Sequence, residues 1–153
     1  MAGARNDVYA FFRDKIKDLG LGKNLEKNLK IIFAVEKIDY FREFNEALRT
    51  TDILWTKPSE MVFYVALGIP IIMAPSLGSQ ELFNRLWLKT IGAGISQNNP
   101  RYAHEWLFDW VESGWLAEAA MAGFLDGRQF GVYNIEDVVF RGVKEPHKSY
   151  QLL

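Results

Sequence analysis

The fold is decided by the run Asp52-Ile-Leu-Trp-Thr-Lys-Pro-Ser-Glu-Met-Val-Phe-Tyr-Val-Ala-Leu-Gly-Ile-Pro-Ile-Ile-Met-Ala-Pro75, which is closely followed by Gly78-Ser-Gln-Glu-Leu-Phe-Asn84. It reads as a strand, a polar turn, a buried helix, a Gly-x-Pro turn, a buried strand and the start of a second helix. Residues 61–80 carry no charge, but glycine and proline interrupt them, and a membrane-spanning helix would lose backbone hydrogen bonds there that lipid cannot replace. The run therefore predicts alternating strands and helices, which is typical of a parallel α/β sheet.

Towards the N-terminus, the alternation continues. Residues 8–19 predict a helix that is capped by Asn6-Asp7 and stopped by Gly20, and residues 29–35 predict a strand. The helix after that strand has a predicted buried face made of Tyr40, Phe41, Phe44 and Leu48. A domain of this class normally opens with a buried strand, whereas Ala2-Gly3-Ala4 leads directly into a helix. We therefore expect one Rossmann-like, three-layer domain over residues 1–140 that lacks its first strand or strands.

Towards the C-terminus, the pattern becomes helical. A short last strand is predicted at 92–95, and Asn99-Pro100 predicts the capped start of a helix. Ser113-Gly114 breaks that helix before a second one over 115–125. The remaining segments are an apolar stretch within 132–140, which predicts either a strand or a docking segment, and a polar tail over 141–153.

Composition narrows the classes of function. The chain has 153 residues, no cysteine and a formal charge of −1, with 49% apolar residues. This fits one well-packed domain and gives no overall field that would attract nucleic acid or an anionic bilayer. The absence of cysteine excludes disulfides and zinc–sulfur sites and fits a reducing cytoplasm. The first residues lack a signal-peptide pattern, so we expect a cytoplasmic protein without a transmembrane segment.

Polar residues follow each of the two central strands, at Thr56-Lys57 and at Gly78-Ser79-Gln80. The carboxyl ends of parallel strands meet at one edge of a sheet, where ligands of such sheets bind. Helix starts at this edge offer unpaired backbone N–H groups and a partial positive charge, which stabilise a diphosphate without a metal. The sequence therefore predicts an anionic, polyhydroxylated ligand held between two adjacent loops.

In this order and spacing, the elements resemble the C-terminal, nucleotide-sugar-binding half of glycosyltransferases with two Rossmann-like domains, the GT-B architecture. The resemblance covers roughly residues 39–95. Over this range the chain is similar to the corresponding part of the transferases that add N-acetylglucosamine to make lipid II. It depends on Asp52, the Lys/Pro/Ser turn, Ala66-Leu-Gly-Ile-Pro70, and Gln80-Glu81 with Asn84. It implies metal-independent glycosyl transfer from a nucleotide-diphosphate sugar, with UDP as the expected nucleotide and no cofactor.

The resemblance also implies which residues contact the donor. The turn at 56–60 would face the diphosphate or ribose, residues 80–84 would hold sugar hydroxyls, and residues 40–41 match the segment whose backbone reads the base. The implied substrate-binding residues are Tyr40, Phe41, Thr56, Lys57, Ser59, Glu60, Ser79, Gln80, Glu81 and Asn84.

The sequence departs from the family at the ribose site. Members carry a glutamate five residues before the glycine of Gly-x-Pro, whereas this chain has Phe63 there and Glu60 one turn earlier. Either Glu60 replaces that glutamate or ribose binding is weaker. The family's catalytic base commonly lies in an N-terminal acceptor domain, so we assign no catalytic residue here and expect such a domain or a partner subunit.

Structural interpretations compete with these assignments. Lys57 and Glu60 could form a surface ion pair, and Ser59 and Ser79 could be helix caps. The aromatic residues at 40–41 could be core, and the tryptophans of a Trp-rich segment, residues 102–124, could be core or interface.

Other chemistries lack their usual motifs. His104 and His147 are isolated, and neither a Gly-x-Ser-x-Gly turn nor a phosphate loop occurs, so we expect no metal, hydrolase or NTPase site. Two alternatives stay open: half of a sugar-nucleotide epimerase, and a non-catalytic binding or assembly subunit. The assembly subunit would use the Trp-rich segment to cover a partner or to form a homo-oligomer.

Overall fold

The computed structural model describes residues 3–127 and 130–143, so most of the predicted polar tail lies outside the described residues. The chain forms two compact units, which divide between Thr51 and Asp52. Among the described helices, none is both long enough and apolar enough to cross a bilayer.

The first unit contains helix α1 (Asn6–Asp18), a short 3-10 turn (Gly22–Asn24) and helix α2 (Lys37–Leu48). The predicted stop after α1 is confirmed, because Gly20 has φ +69° and its N–H donates to the Lys17 carbonyl at 3.0 Å. The predicted cap is wrong. The N-cap is Arg5 and no side chain caps it, since Asn6 and Asp7 already belong to the first turn of the helix.

The predicted strand at 29–35 is also wrong. Phe33 forms only a single parallel bridge with Gly3, in which the Ala34 N–H donates to the Gly3 carbonyl at 3.2 Å. A run of β-forming residues becomes a strand only when a neighbour pairs with it along its length. Within the described residues, the run forms one other isolated bridge, between Leu29 and Leu25, so no neighbour pairs with it along its length.

The face of α2 is less buried than its spacing predicts. Leu48 is buried, but Phe41 is 56% exposed. Tyr40 and Phe44 are half-buried and stack with ring centroids 5.9 Å apart. Regular spacing places these aromatics on one side of the helix, but of the four predicted face residues only Leu48 is buried.

The second unit contains the alternation that the sequence predicts. In chain order its elements are β1 (Leu54–Thr56), α3 (Met61–Ala66), β2 (Ile71–Met73), α4 (Ser79–Thr90), β3 (Gly94–Ser96), a 3-10 turn (Pro100–Tyr102), α5 (Ala103–Glu112), α6 (Trp115–Asp126) and α7 (Gly131–Arg141). The strands form a parallel sheet in the order β1-β2-β3, with Trp55, Ile72 and Ile95 in register. A mixed α/β fold with a parallel sheet is thus confirmed, and the uncharged run 61–80 is a helix, a turn and a buried strand.

Helical side chains cover both faces of this sheet. Ile71 and Met73 point to one face, where they pack with Val65 of α3 and Leu88 of α4 in the main core cluster. On the opposite face, the Trp55 ring lies edge-on to Trp106 of α5, with centroids 5.3 Å apart. Apolar contacts on both faces explain why all three residues of the central strand are fully buried.

Helix α6 packs against the turns that precede the strands. Gly68 and Gly92, with φ +73° and +75°, end α3 and α4, a conformation that side chains rarely adopt. A Cβ atom at Gly68 would lie 3.6 Å from Phe124 Cβ, and one at Gly92 would lie 3.6 Å from Ala122 Cβ. Helix α6 therefore lies at the amino edge of the sheet.

Two C-terminal predictions have different outcomes. The Asn99 cap is confirmed, since its side-chain oxygen accepts the Arg101 N–H at 3.1 Å, although a 3-10 turn comes before α5. The strand predicted within 132–140 is wrong, because these residues form α7. Val132, Ile135 and Val139 follow the helical spacing of three and four residues, and their β-branched side chains favoured the mistaken interpretation.

Candidate functional site

The candidate site is the carboxyl edge of the sheet in the second unit. The loops 57–60, 74–78 and 97–99 leave the three parallel strands here. Strand pairing continues to this edge, since the Thr56 carbonyl accepts the Ala74 N–H at 2.8 Å and the Met73 carbonyl accepts the Gln97 N–H at 3.0 Å. The edge is therefore a fixed platform from which polar side chains project.

Asn84, on α4, ties the loop 57–60 to that helix. Its side-chain Nδ2 donates to the Pro58 carbonyl at 3.0 Å and to the Ser59 carbonyl at 2.8 Å. The predicted adjacency of the stretches 56–60 and 78–84 is thus confirmed. Asn84 makes these contacts with its amide hydrogens, so its side-chain oxygen remains available to a ligand.

Glu81 has a local structural role. Its Oε2 accepts the Leu77 N–H at 2.6 Å, which fixes the loop just before α4 begins. This is a variant of the capping box, in which a side chain in the first turn satisfies a backbone donor ahead of the helix. The carboxylate also places a negative charge at the first turn, where the helix dipole favours it.

Ser79 does not cap α4, so that predicted structural role is wrong. The N-cap is Gly78, which has no side chain, and Ser79 is the first residue of the helix. Ser79 and Gln80 are both exposed at the start of α4. Their side chains project from the edge and can reach a ligand.

The turn after β1 presents four candidate side chains. Thr56 is half-buried, while Lys57, Ser59 and Glu60 are exposed. Neither the lysine nor the glutamate forms an ion pair with any described residue, so the surface pair considered above is absent. The turn is instead held by Pro58, which is fully buried.

Arg85 is a polar residue of this edge that sequence analysis did not select. It is half-buried, and its Nε donates to the Ser96 hydroxyl at 3.1 Å, which ties α4 to the end of β3. No described carboxylate forms an ion pair with its guanidinium. Its place directly after Asn84 was the available signal, since consecutive residues of a helix differ in position by only about 1.5 Å along the helix axis.

Two further residues complete the edge. The Trp55 indole Nε1 donates to Gln97 Oε1 at 2.8 Å, which links β1 to the loop after β3 across the central strand. The Ser76 hydroxyl, in the loop after β2, is inaccessible and has no hydrogen-bond partner among the described residues. The tryptophan ring is therefore oriented by a hydrogen bond as well as by its contact with Trp106.

Tyr40 and Phe41 belong to the first unit, on α2. Their rings contact each other, with centroids 5.7 Å apart. The base-reading role that the resemblance implies for this segment stays a prediction.

We compared the chain with protein-family models, with curated proteins and with solved structures, and none of these comparisons gives a match. The functional argument therefore depends on the residues and their geometry.

Proposed function

We propose that the second unit binds the diphosphate and sugar of a nucleotide sugar, expected to be UDP-linked, as the donor-binding part of a glycosyltransferase with a Rossmann-like fold. The observation that carries the proposal is that Asn84 ties the loop 57–60 to helix α4, which begins directly after the loop 74–78, at the carboxyl edge of a parallel sheet. Ligands of open α/β sheets bind at this edge, and anions are stabilised where helices begin there.

Two cations are available to a diphosphate at this edge, which also carries the carboxylates of Glu60 and Glu81. Lys57 and the half-buried Arg85 have no carboxylate partner among the described residues. A guanidinium binds phosphate oxygens through two parallel N–H donors, and Arg85 uses only Nε in its contact with Ser96. In glycosyl transfer, such cations would stabilise the negative charge that develops on the departing nucleotide diphosphate.

The sugar would contact the start of α4. Ser79 and Gln80 are exposed there, and a side-chain amide can both donate to and accept from sugar hydroxyls. The remaining oxygen of Glu81 and the side-chain oxygen of Asn84 add acceptors on the same helix.

The acceptor and the base would come from a separate domain or partner subunit. Large apolar side chains are exposed beside the proposed donor site, with Leu77 79% and Phe83 70% exposed. Apolar patches of this kind mark surfaces that another molecule or domain covers. In the Trp-rich segment, Trp106 is buried within its own unit, while Phe108 and Met121 are exposed, so a self-association surface there would use the exposed side chains.

We expect UDP and UDP-N-acetylglucosamine to bind with a saturable calorimetric or chemical-shift response, and uridine to bind more weakly. The Arg85→Gln variant should weaken UDP about tenfold or more, because a hydrogen bond to a charged group contributes about 1.5–3 kcal/mol. The Lys89→Gln variant is the matched control, since it removes an exposed cation one turn further along α4.

The absence of any response to millimolar UDP would contradict the proposal. An equal effect of Arg85→Gln on uridine and on UDP would show that the variant disturbs the fold and that Arg85 does not contact phosphate.

A further inference from the structure

A second concave surface lies in the first unit, along α1. This basic groove has a volume of about 830 Å³, and three cations line it: Arg13, Lys17 and Lys23. The polar side chains of Asn6 and Tyr9 also line it, and Asp14 is the one acidic side chain among the described residues of the lining.

The backbone explains why the cations converge. Arg13 and Lys17 are four residues apart and therefore lie on the same side of α1. The chain then reverses, with the Leu21 N–H donating to the Ile16 carbonyl at 2.9 Å, and the following 3-10 turn brings Lys23 to the groove.

None of these three cations forms an ion pair with a described residue, whereas Lys15 on the same helix is paired with Asp18 at 3.5 Å. Arg13 and Lys17 carry like charges four residues apart on α1 and therefore repel each other, and a bound anion would reduce this repulsion.

The side chain of Arg13 is also held in place by an aromatic ring. Its guanidinium carbon lies 5.8 Å from the centre of the Tyr9 ring, within the range of a cation–π interaction. It forms no hydrogen bond with a described residue, so its N–H donors stay available in the groove.

We propose that the basic groove binds a phosphate monoester or diphosphate group. The three cations and Asp14 give its lining a net charge of +2. A phosphate monoester carries a charge of about −1.5 to −2 at neutral pH, so it matches the groove better than a carboxylate or another single charge. The group could belong to a soluble phosphorylated compound or to the headgroup of a lipid, and both present the same chemistry.

The test measures pyrophosphate binding to the Arg85→Gln variant. The proposed donor site is impaired in this variant, so the binding reports on the basic groove. We expect calorimetry at 50 mM salt to show binding that weakens as salt increases, because exposed charges are screened. The double variant Lys17→Gln/Lys23→Gln should weaken pyrophosphate at least tenfold. Lys15→Gln, which removes a last-turn cation outside the groove, should change affinity less than twofold.

Co-sedimentation with vesicles distinguishes the two sources. Binding to phosphatidylcholine vesicles that contain phosphatidic acid, but not to pure phosphatidylcholine, would assign a lipid headgroup. Pyrophosphate binding without vesicle binding would assign a soluble phosphate compound. The proposal is wrong if neither ligand binds, or if Lys15→Gln weakens binding as much as the double variant does. An Arg85→Gln variant that binds UDP as tightly as the wild type, while pyrophosphate binding still depends on Lys17 and Lys23, would count against the donor site alone.

Discussion

Replacing Gly123 with valine is expected to lower the melting temperature by roughly 5–10 °C, since overpacking a buried site costs about 1–3 kcal/mol. Gly123 is buried on α6, where a Cβ atom would lie 3.2 Å from Ala93 Cβ and 3.3 Å from both Cγ1 and the carbonyl oxygen of Val65. Backbone atoms form part of this contact and cannot rotate away. The higher helix propensity of valine offsets only a few tenths of a kcal/mol.

The control is the same substitution at Gly131, on the first turn of α7, where a Cβ atom would have no neighbour within 4 Å. Circular dichroism melts of both variants and the wild type give the comparison. If Gly123→Val and Gly131→Val shift the transition equally, then close packing of α6 on α3 does not stabilise this unit.

The Asn84→Asp variant is expected to weaken UDP about tenfold or more and to lower the free energy of unfolding by about 2 kcal/mol. Asn84 donates two hydrogen bonds to the carbonyls of Pro58 and Ser59. A carboxylate has no hydrogen to donate and would face two carbonyl oxygens, which leaves unsatisfied acceptors in a half-buried place. The loop after β1 should then separate from α4, and the two sides of the proposed donor site with it.

Two measurements separate binding from stability. Calorimetric titration with UDP below the melting transition reports on the site, and urea unfolding reports on the fold. The Asn45→Asp variant is the control, because Asn45 is exposed on α2. If Asn84→Asp matches Asn45→Asp in both UDP affinity and stability, then the Asn84 contacts do not hold the loop after β1 against α4.

These experiments address a fold whose central part is readable from sequence. The order of β1, α3, β2, α4 and β3 follows from short apolar runs, the uncharged stretch 61–80, and glycine at 68 and 92. Each of these signals acts within a few residues, because side-chain periodicity and backbone conformation are local properties. The adjacency of the two loops follows as well, since parallel strands bring their carboxyl ends to one edge.

Tertiary contacts decided the rest. Residues 29–35 have the composition of a strand, yet among the described residues they form only isolated bridges with Gly3 and Leu25, and a strand depends on a partner that the run itself cannot supply. The roles of Asn84 and Arg85 are likewise set by Pro58, Ser59 and Ser96, which lie 11 to 26 residues away in the chain. A hydrogen bond needs atoms within about 3 Å of each other, and only the packed chain brings such distant residues that close. The sequence by itself thus determined the alternation of strands and helices and the edge where a ligand would bind, while the folded structure determined which side chains hold that edge together and which remain available to a ligand.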